Sequence, residues 1–240
     1  MKIIAITQKG SAKAENEDRI IVGKDIIAEG IYETELTGGI VAVADGVGGN
    51  NAGAVASQFV AERLTALEDI SKQVFVEINE GLLQLSFSQA DYNNMATTLS
   101  GIAFCGEETW LFSIGNTRVY LLQSQKYLKQ LTSDDTTLNY LRSIGRISDE
   151  EAETFDRKNE IIACFGGGMA SLFNIKCDEI DAVVGPFIMT SDGIHDYVSL
   201  DQMEDIIEEY GVTVAASEAL IAAAREGGSF DDISIILGVV

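Results

Sequence analysis

The sequence has 240 residues, 46% of them hydrophobic, with a single proline and no Gly/Ser-rich or Pro-rich linker, which predicts one compact unit over residues 1–240. Sixteen Lys and Arg face 38 Asp and Glu, a formal charge of −22; a field of that sign repels nucleic acid and anionic membranes and excludes both as partners. Cys105, Cys164 and Cys177 are odd in number and widely spaced, the pattern of buried, reduced thiols in a cytoplasmic protein.

The chain opens with apolar segments of strand length at Lys2–Thr7, Ile20–Ala28 and Gly39–Ala44. The first is too short for a secretory leader, and no small-residue cleavage site follows it. Two amphipathic helices come next. Ala52, Val55, Ala56, Phe59, Val60, Leu64 and Leu67 share one helical face, and Val74, Phe75, Ile78, Leu82 and Leu85 form a second stripe behind a capping Ser71. Strands with tight turns are predicted at Thr97–Cys105, Thr109–Ile114, Arg118–Leu122 and Tyr127–Leu131. From about 133 to 158 the sequence turns polar and helical, with acidic residues at Asp149–Glu153, and reads as a surface excursion. Strands return near Glu160–Ala163, Leu172–Ile180 and Pro186–Thr190. Ser199 and Gln202 form a capping box for a helix carrying Met203, Ile206, Ile207 and Tyr210. An alanine-rich helix, Val214–Arg225, ends at Gly227 and Gly228, and Ile233–Val240 is a buried strand. This order does not alternate strand and helix, so the expected class is α+β, with antiparallel sheets covered by helices.

Acidic residues recur at strand rims. Asp45 ends the run from Ile40 and precedes Gly46, Gly48 and Gly49; Asp192 ends the run from Phe187 and precedes Gly193. Asp231 and Asp232 open the last strand, and Glu17 and Asp18 precede Ile20. Each alone reads as a turn or a solvated corner. As a set on rigid elements, they offer hard oxygen ligands suited to Mg²⁺ or Mn²⁺. A pair of such ions is a standard device for attack on phosphorus. His195 is the single histidine, and a surface or packing role is expected for it.

In this order the motifs resemble the metal-dependent protein phosphatases of type 2C. The resemblance rests on Asn16-Glu17-Asp18, Val43-Ala-Asp45-Gly46-Val-Gly48-Gly49, Met95-Ala-Thr97-Thr98-Leu99 and Ile114-Gly115-Asn116-Thr117-Arg118. It continues through Gly145-Arg-Ile147-Ser148 of a bacterial-type flap, Thr190-Ser191-Asp192-Gly193 and Ser229-Phe230-Asp231-Asp232-Ile233. It implies a four-layer sandwich of two central antiparallel sheets flanked by helices, in a soluble, cytoplasmic, monomeric enzyme. It also implies two Mn²⁺ or Mg²⁺ ions bridged by Asp45, with the Gly46 carbonyl, Asp192 and Asp231 as further ligands and Glu17 and Asp18 ordering water. The implied reaction is hydrolysis of phosphoserine or phosphothreonine in proteins, opposing a cognate kinase, with Asp45, Asp192, Asp231 and Lys13 carrying it.

Departures from the family pattern are specific. Lys13 stands where the family has its phosphate-binding arginine, and Asp232 replaces an asparagine. Asn116 replaces the aspartate that holds a third ion, which puts that site in doubt. Lys13 and Asn116 keep two rivals open: a catalytically silent binding protein on the same fold, and a hydrolase of small phosphoesters.

Overall fold

The computed structural model describes residues 1–48, 52–124, 126–167 and 173–240. The strands are β1 (Lys2–Gln8), β2 (Arg19–Val22), β3 (Asp25–Ile27), β4 (Gly30–Glu35), β5 (Gly39–Ala44), β6 (Gly46–Val47), β7 (Ala96–Thr97), β8 (Leu99–Cys105), β9 (Glu108–Ile114), β10 (Arg118–Gln123), β11 (Tyr127–Gln130), β12 (Lys176–Ile180), β13 (Pro186–Thr190) and β14 (Ile233–Val239). The helices are α1 (Ala52–Thr65), α2 (Lys72–Ser88), α3 (Thr137–Ser143), α4 (Asp149–Glu153), α5 (Asp192–His195), α6 (Leu200–Tyr210) and α7 (Val214–Glu226). One antiparallel sheet runs β11-β10-β13-β14-β1-β4 and the other β12-β9-β8-β5-β2-β3.

Period-two alternation sorts the strand residues into layers. Ile3 and Ala5 of β1 and Ile236 of β14 face Ile20, Val22, Val41 and Val43 of the other sheet. The alternate residues Ile4, Ile6, Ile233, Ile235 and Leu237 pack outward against Met203, Ile207, Leu220 and Ala224 of α6 and α7. On the opposite side, Ile21, Ala42 and Ala44 meet Ala56, Val60, Phe75 and Leu82 of α1 and α2. The result is helix, sheet, sheet, helix, as the resemblance implies. Burial of each large aliphatic side chain contributes about 1.5–3 kcal/mol, so three separate apolar layers hold the strand ends rigid. Among the described residues, no helix is long and apolar enough to cross a membrane.

Several sequence expectations need correction. Ile20–Ala28 is two strands, because Gly23 takes φ +63° and turns β2 into β3. β4 was absent from the expected elements; it is an edge strand, alternating half-buried and exposed residues. Glu160–Ala163 is not a strand: Ile161 makes one isolated bridge to Thr136. The strand expected from Thr97 breaks at Thr98, which turns to hold Asp45. Leu172 and Gly49 lie outside the described residues. Cys177 is buried as expected, whereas Cys164 is half-buried and Cys105 is exposed at the end of β8; all three are free thiols.

Candidate metal centre

Asp45 sits where β5 ends, half-buried at the mouth of a cleft between the sheets. Its backbone is fixed from the Thr97-Thr98 pair. Its carbonyl accepts from Thr97 Oγ1 and from the Thr98 amide, both at 2.9 Å, and its own amide donates to Thr98 Oγ1 at 3.2 Å. The next residue, Gly46, lets two backbones close up. A Cβ there would lie 2.4 Å from the Gly53 carbonyl oxygen and 2.5 Å from that of Glu17, distances that no larger side chain tolerates.

Asp192 opens α5 immediately after β13, and the buried Asn116 donates from Nδ2 to its Oδ2 at 3.0 Å. Gly193 is equally constrained: a Cβ would stand 2.0 Å from the Asp232 carbonyl. Asp231 lies in the loop entering β14. Its carbonyl accepts from Arg225 Nη1 at 2.8 Å, and the same guanidinium binds the carbonyls of Ser229 and Lys9.

Glu17 and Asp18 are almost wholly buried, at 4% and 1% exposure. The Glu17 carbonyl accepts from Ser57 Oγ at 2.6 Å and from the Gly46 amide at 3.2 Å. Asp232 supplies the link to the far end of the chain. Its two carboxylate oxygens accept the amides of Gly10 and Glu17, each at 2.7 Å. Asp232 is therefore a structural acceptor for the loop that carries Lys13 and Glu17, a role that its replacement of asparagine did not reveal. Lys13 Nζ lies 2.6 Å from Glu17 Oε2 and 3.4 Å from Asp231 Oδ1, and Lys9 Nζ binds the Lys13 carbonyl at 2.7 Å. The Lys13 loop is tethered at several points.

The electrostatics are those of crowded carboxylates. Burial pushes the Asp18 carboxyl up to about 8; the charges of Asp232 and Asp192 add to this, and the nearby Ser234 and Ser191 hydroxyls oppose it. Asp45 is held well above the carboxylate range by burial first, then by the charges of Asp192, Asp18 and Asp231. Asp192 is also raised, chiefly by burial and by Asp231, against the Asn116 hydrogen bond. Partial burial works against the Lys13 ammonium, but the Glu17 hydrogen bond and the charges of Asp231, Glu17 and Asp232 raise it above the usual lysine range. Such mutual repulsion is relieved by cations. Asp18 Oδ2 is buried and has no hydrogen-bond partner among the described residues, and a cation or its water would satisfy it. Among the described residues, no three Asp, Glu, His or Cys side chains form a closed ligand set. They are instead neighbours coupled across the cleft. The hard-oxygen donor set, the orphaned Asp18 oxygen and the glycine-lined backbone fit Mg²⁺ or Mn²⁺.

His195 is buried, with Nδ1 2.8 Å from Thr190 Oγ1. Burial and then the Arg118 charge push it well below the usual histidine range. It is a neutral packing residue, as expected.

The Protein phosphatase 2C family model matches residues 24–224. Over the aligned region, the chain is 30% identical to the serine/threonine phosphatase stp of Listeria monocytogenes, covering 96% of this chain and 92% of that protein. Its fold superposes on the crystal structure of the Mycobacterium tuberculosis serine/threonine phosphatase PstP/Ppp with a TM-score of 0.81 at 27% identity, covering 99% of this chain and 98% of that one. The catalytic domain of PstP in complex with two manganese ions superposes with a TM-score of 0.75, also at 27% identity and covering 99% and 98%. The fold and the acidic cleft define a phosphatase of the metal-dependent class. The chain belongs to the protein phosphatase 2C family.

Proposed function

We propose that the protein is a metal-dependent phosphatase that hydrolyses phosphoserine and phosphothreonine in other proteins, using two Mn²⁺ or Mg²⁺ ions. The observation that carries this is the convergence of Asp45, Asp192 and Asp231 from three separate strand ends, each raised or flanked by the others' charge. Asp45, the Gly46 carbonyl, Asp192 and Asp231 would hold the ions, with Glu17 and Asp18 ordering water around them. Held there, such ions would supply Lewis acidity for activating water and for offsetting charge on the phosphoryl oxygens.

The chain's own residues do the rest. Thr97 and Thr98 fix the Asp45 backbone so that its carboxylate stays at the cleft mouth. Asn116 orients Asp192 by donating to one oxygen and leaving the other for a ligand. Arg225 holds the Asp231 loop through main-chain carbonyls. Lys13 pairs with Glu17 and Asp231 at the acidic cleft, and its ammonium would bind a phosphate oxygen as a point charge. The phosphate would enter between Lys13 and the ions. The physiological substrates would be phosphoproteins of a cognate serine/threonine kinase, met by a monomer in the cytoplasm. The polar segment between β11 and β12, carrying α3 and α4, would serve as the flap of a single catalytic domain.

The test is hydrolysis of para-nitrophenyl phosphate and a phosphothreonine peptide with Mn²⁺, with EDTA as control. Asp192→Ala should lose nearly all turnover while circular dichroism stays native. Wild-type-like turnover by that variant would remove the metal assignment, and no turnover by the parent with any divalent ion would favour the silent-binding reading.

A further inference from the structure

Lys13 stands on a loop whose backbone is fixed at several points. Its amide donates to the Gly10 carbonyl at 3.3 Å, and its carbonyl accepts from Lys9 Nζ at 2.7 Å. On either side of it, the amides of Gly10 and Glu17 are held by the two carboxylate oxygens of Asp232. Gly10 also closes on the entry to β14, where a Cβ would lie 2.5 Å from the Phe230 carbonyl oxygen and 2.5 Å from the Asp231 carbonyl carbon. The loop is thereby tied to the residues around Asp231.

The far end of the Lys13 side chain is fixed as well. Nζ lies 2.6 Å from Glu17 Oε2 and 3.4 Å from Asp231 Oδ1. The two partners are unequal. The Glu17 side chain is 6% exposed and that of Asp231 38%, so the short bond is shielded from water and the long one is screened by it. Glu17 has little freedom to give way. Its Oε1 lies against the start of α1, where a Cβ on Gly53 would come within 2.8 Å of it. Its carbonyl accepts from Ser57 Oγ at 2.6 Å, and its amide is spent on Asp232.

An ammonium carries three donors and no acceptor. With two directed at Glu17 and Asp231, the third remains for an oxygen that arrives from solvent, to which the Lys13 side chain keeps 32% exposure. A lysine side chain normally samples many rotamers and loses them on binding a ligand. One already held by a buried carboxylate has given up that freedom before the ligand arrives.

We propose that Glu17 is a positioning residue for the phosphate-binding cation: acting through Lys13, it fixes the ammonium so that one N–H meets a phosphate oxygen of the substrate. The proposal rests on the phosphatase reading for the nature of the anion. It gives Glu17 a task in substrate binding besides ordering water, and separates it from its neighbour Asp18, whose Oδ2 has no partner among the described residues.

The test is a double-mutant cycle in Mn²⁺ with a phosphothreonine peptide. Lys13→Ala and Glu17→Gln should each raise KM by about tenfold, equivalent to about 1.4 kcal/mol, and the double variant should raise it no further than Lys13→Ala alone. A role confined to water around the ions would lower kcat and leave the two KM effects multiplicative, which would overturn the proposal. A second measurement does not depend on catalysis. In EDTA, acetylation of Lys13 by a water-soluble succinimidyl ester is read by mass spectrometry against the exposed Lys129. It should run several-fold faster in Glu17→Gln than in the parent, because the ammonium has lost its buried acceptor. Glu17→Asp, which keeps the charge but withdraws it by one methylene, should fall between them. Equal acetylation in the parent and both variants would reject the positioning role even in an active phosphatase. Faster acetylation in the variants, with no turnover by the parent, would uphold the pairing of Lys13 with Glu17 and reject the phosphatase reading alone.

Discussion

Asn116→Asp should make the protein less stable without metal and more responsive to Mn²⁺. The Asn116 amide donates to Asp192 Oδ2 at 3.0 Å in a buried setting, and a hydrogen bond to a charged group contributes about 1.5–3 kcal/mol. The new carboxylate would lose that donor and add a negative charge at a similar separation. Two unit charges 4 Å apart cost about 4 kcal/mol at an effective dielectric of 20. Proton uptake by one of the pair caps this penalty, so the net loss in EDTA should be about 3 kcal/mol. For a chain of this size each kcal/mol lowers Tm by about 2–4 °C, which sets the expected drop at about 6–12 °C. In millimolar Mn²⁺ the same charge becomes a ligand, and the variant should recover most of the difference. Differential scanning fluorimetry across a Mn²⁺ titration reads both effects. An unchanged Tm in EDTA would show that Asn116 does not restrain Asp192, and a Mn²⁺ response equal to that of the parent would show that its missing charge is irrelevant to ion binding.

Lys13→Ala should raise KM for a phosphopeptide, and Lys13→Arg should leave kcat/KM equal or better, because a planar fork matches two phosphate oxygens where an ammonium matches one; steady-state kinetics with unchanged KM in the alanine variant would count against the phosphate role. The metal-free protein should lose stability as pH rises from about 4 to about 8. Asp18 is raised from 3.8 to about 8 in the folded state, so the native state binds the extra proton, and that contribution is complete below the unfolded value and gone above the folded one. Asp18→Asn in EDTA should flatten this slope in a Tm–pH series, and an equally steep series would assign the dependence elsewhere.

The layers and the acidic motifs were legible from local pattern, and the contacts that join them were not. The near-continuous apolar runs Ile3–Ile6 and Ile233–Leu237 are enough to infer strands buried on both faces, because successive residues answer to different layers. β4 was missed because Ile31, Glu33 and Glu35 leave an edge strand with one exposed face of mixed polarity. Thr97 and Thr98 fall in a predicted strand and in a motif of the resemblance, and neither reading gives their hydroxyls a partner. Their hydroxyls instead hold Asp45, across more than fifty residues of sequence. A polar residue near a strand signals that some partner exists, and only the folded chain shows which.

Asp232 shows why the departures should be weighed separately. Its carboxylate is buried at 3% exposure and accepts two backbone amides, from Gly10 and Glu17. An asparagine in the same pose would set its NH₂, which can only donate, against one of these two amide donors, so the aspartate suits this loop better than the residue it replaces. The extra charge raises Asp18 and helps to hold Lys13 protonated. Lys13, in turn, pairs with Glu17 and Asp231. The substitutions at 13 and 232 therefore meet in one electrostatic unit on the N-terminal loop. Asn116 belongs to a different side of the cleft, where it donates to Asp192. A lysine in place of arginine at 13 is answered by an additional carboxylate nearby; an asparagine in place of aspartate at 116 removes charge from the other side. The two departures thus place negative charge in the cleft toward the loop that carries Lys13 and away from Asn116.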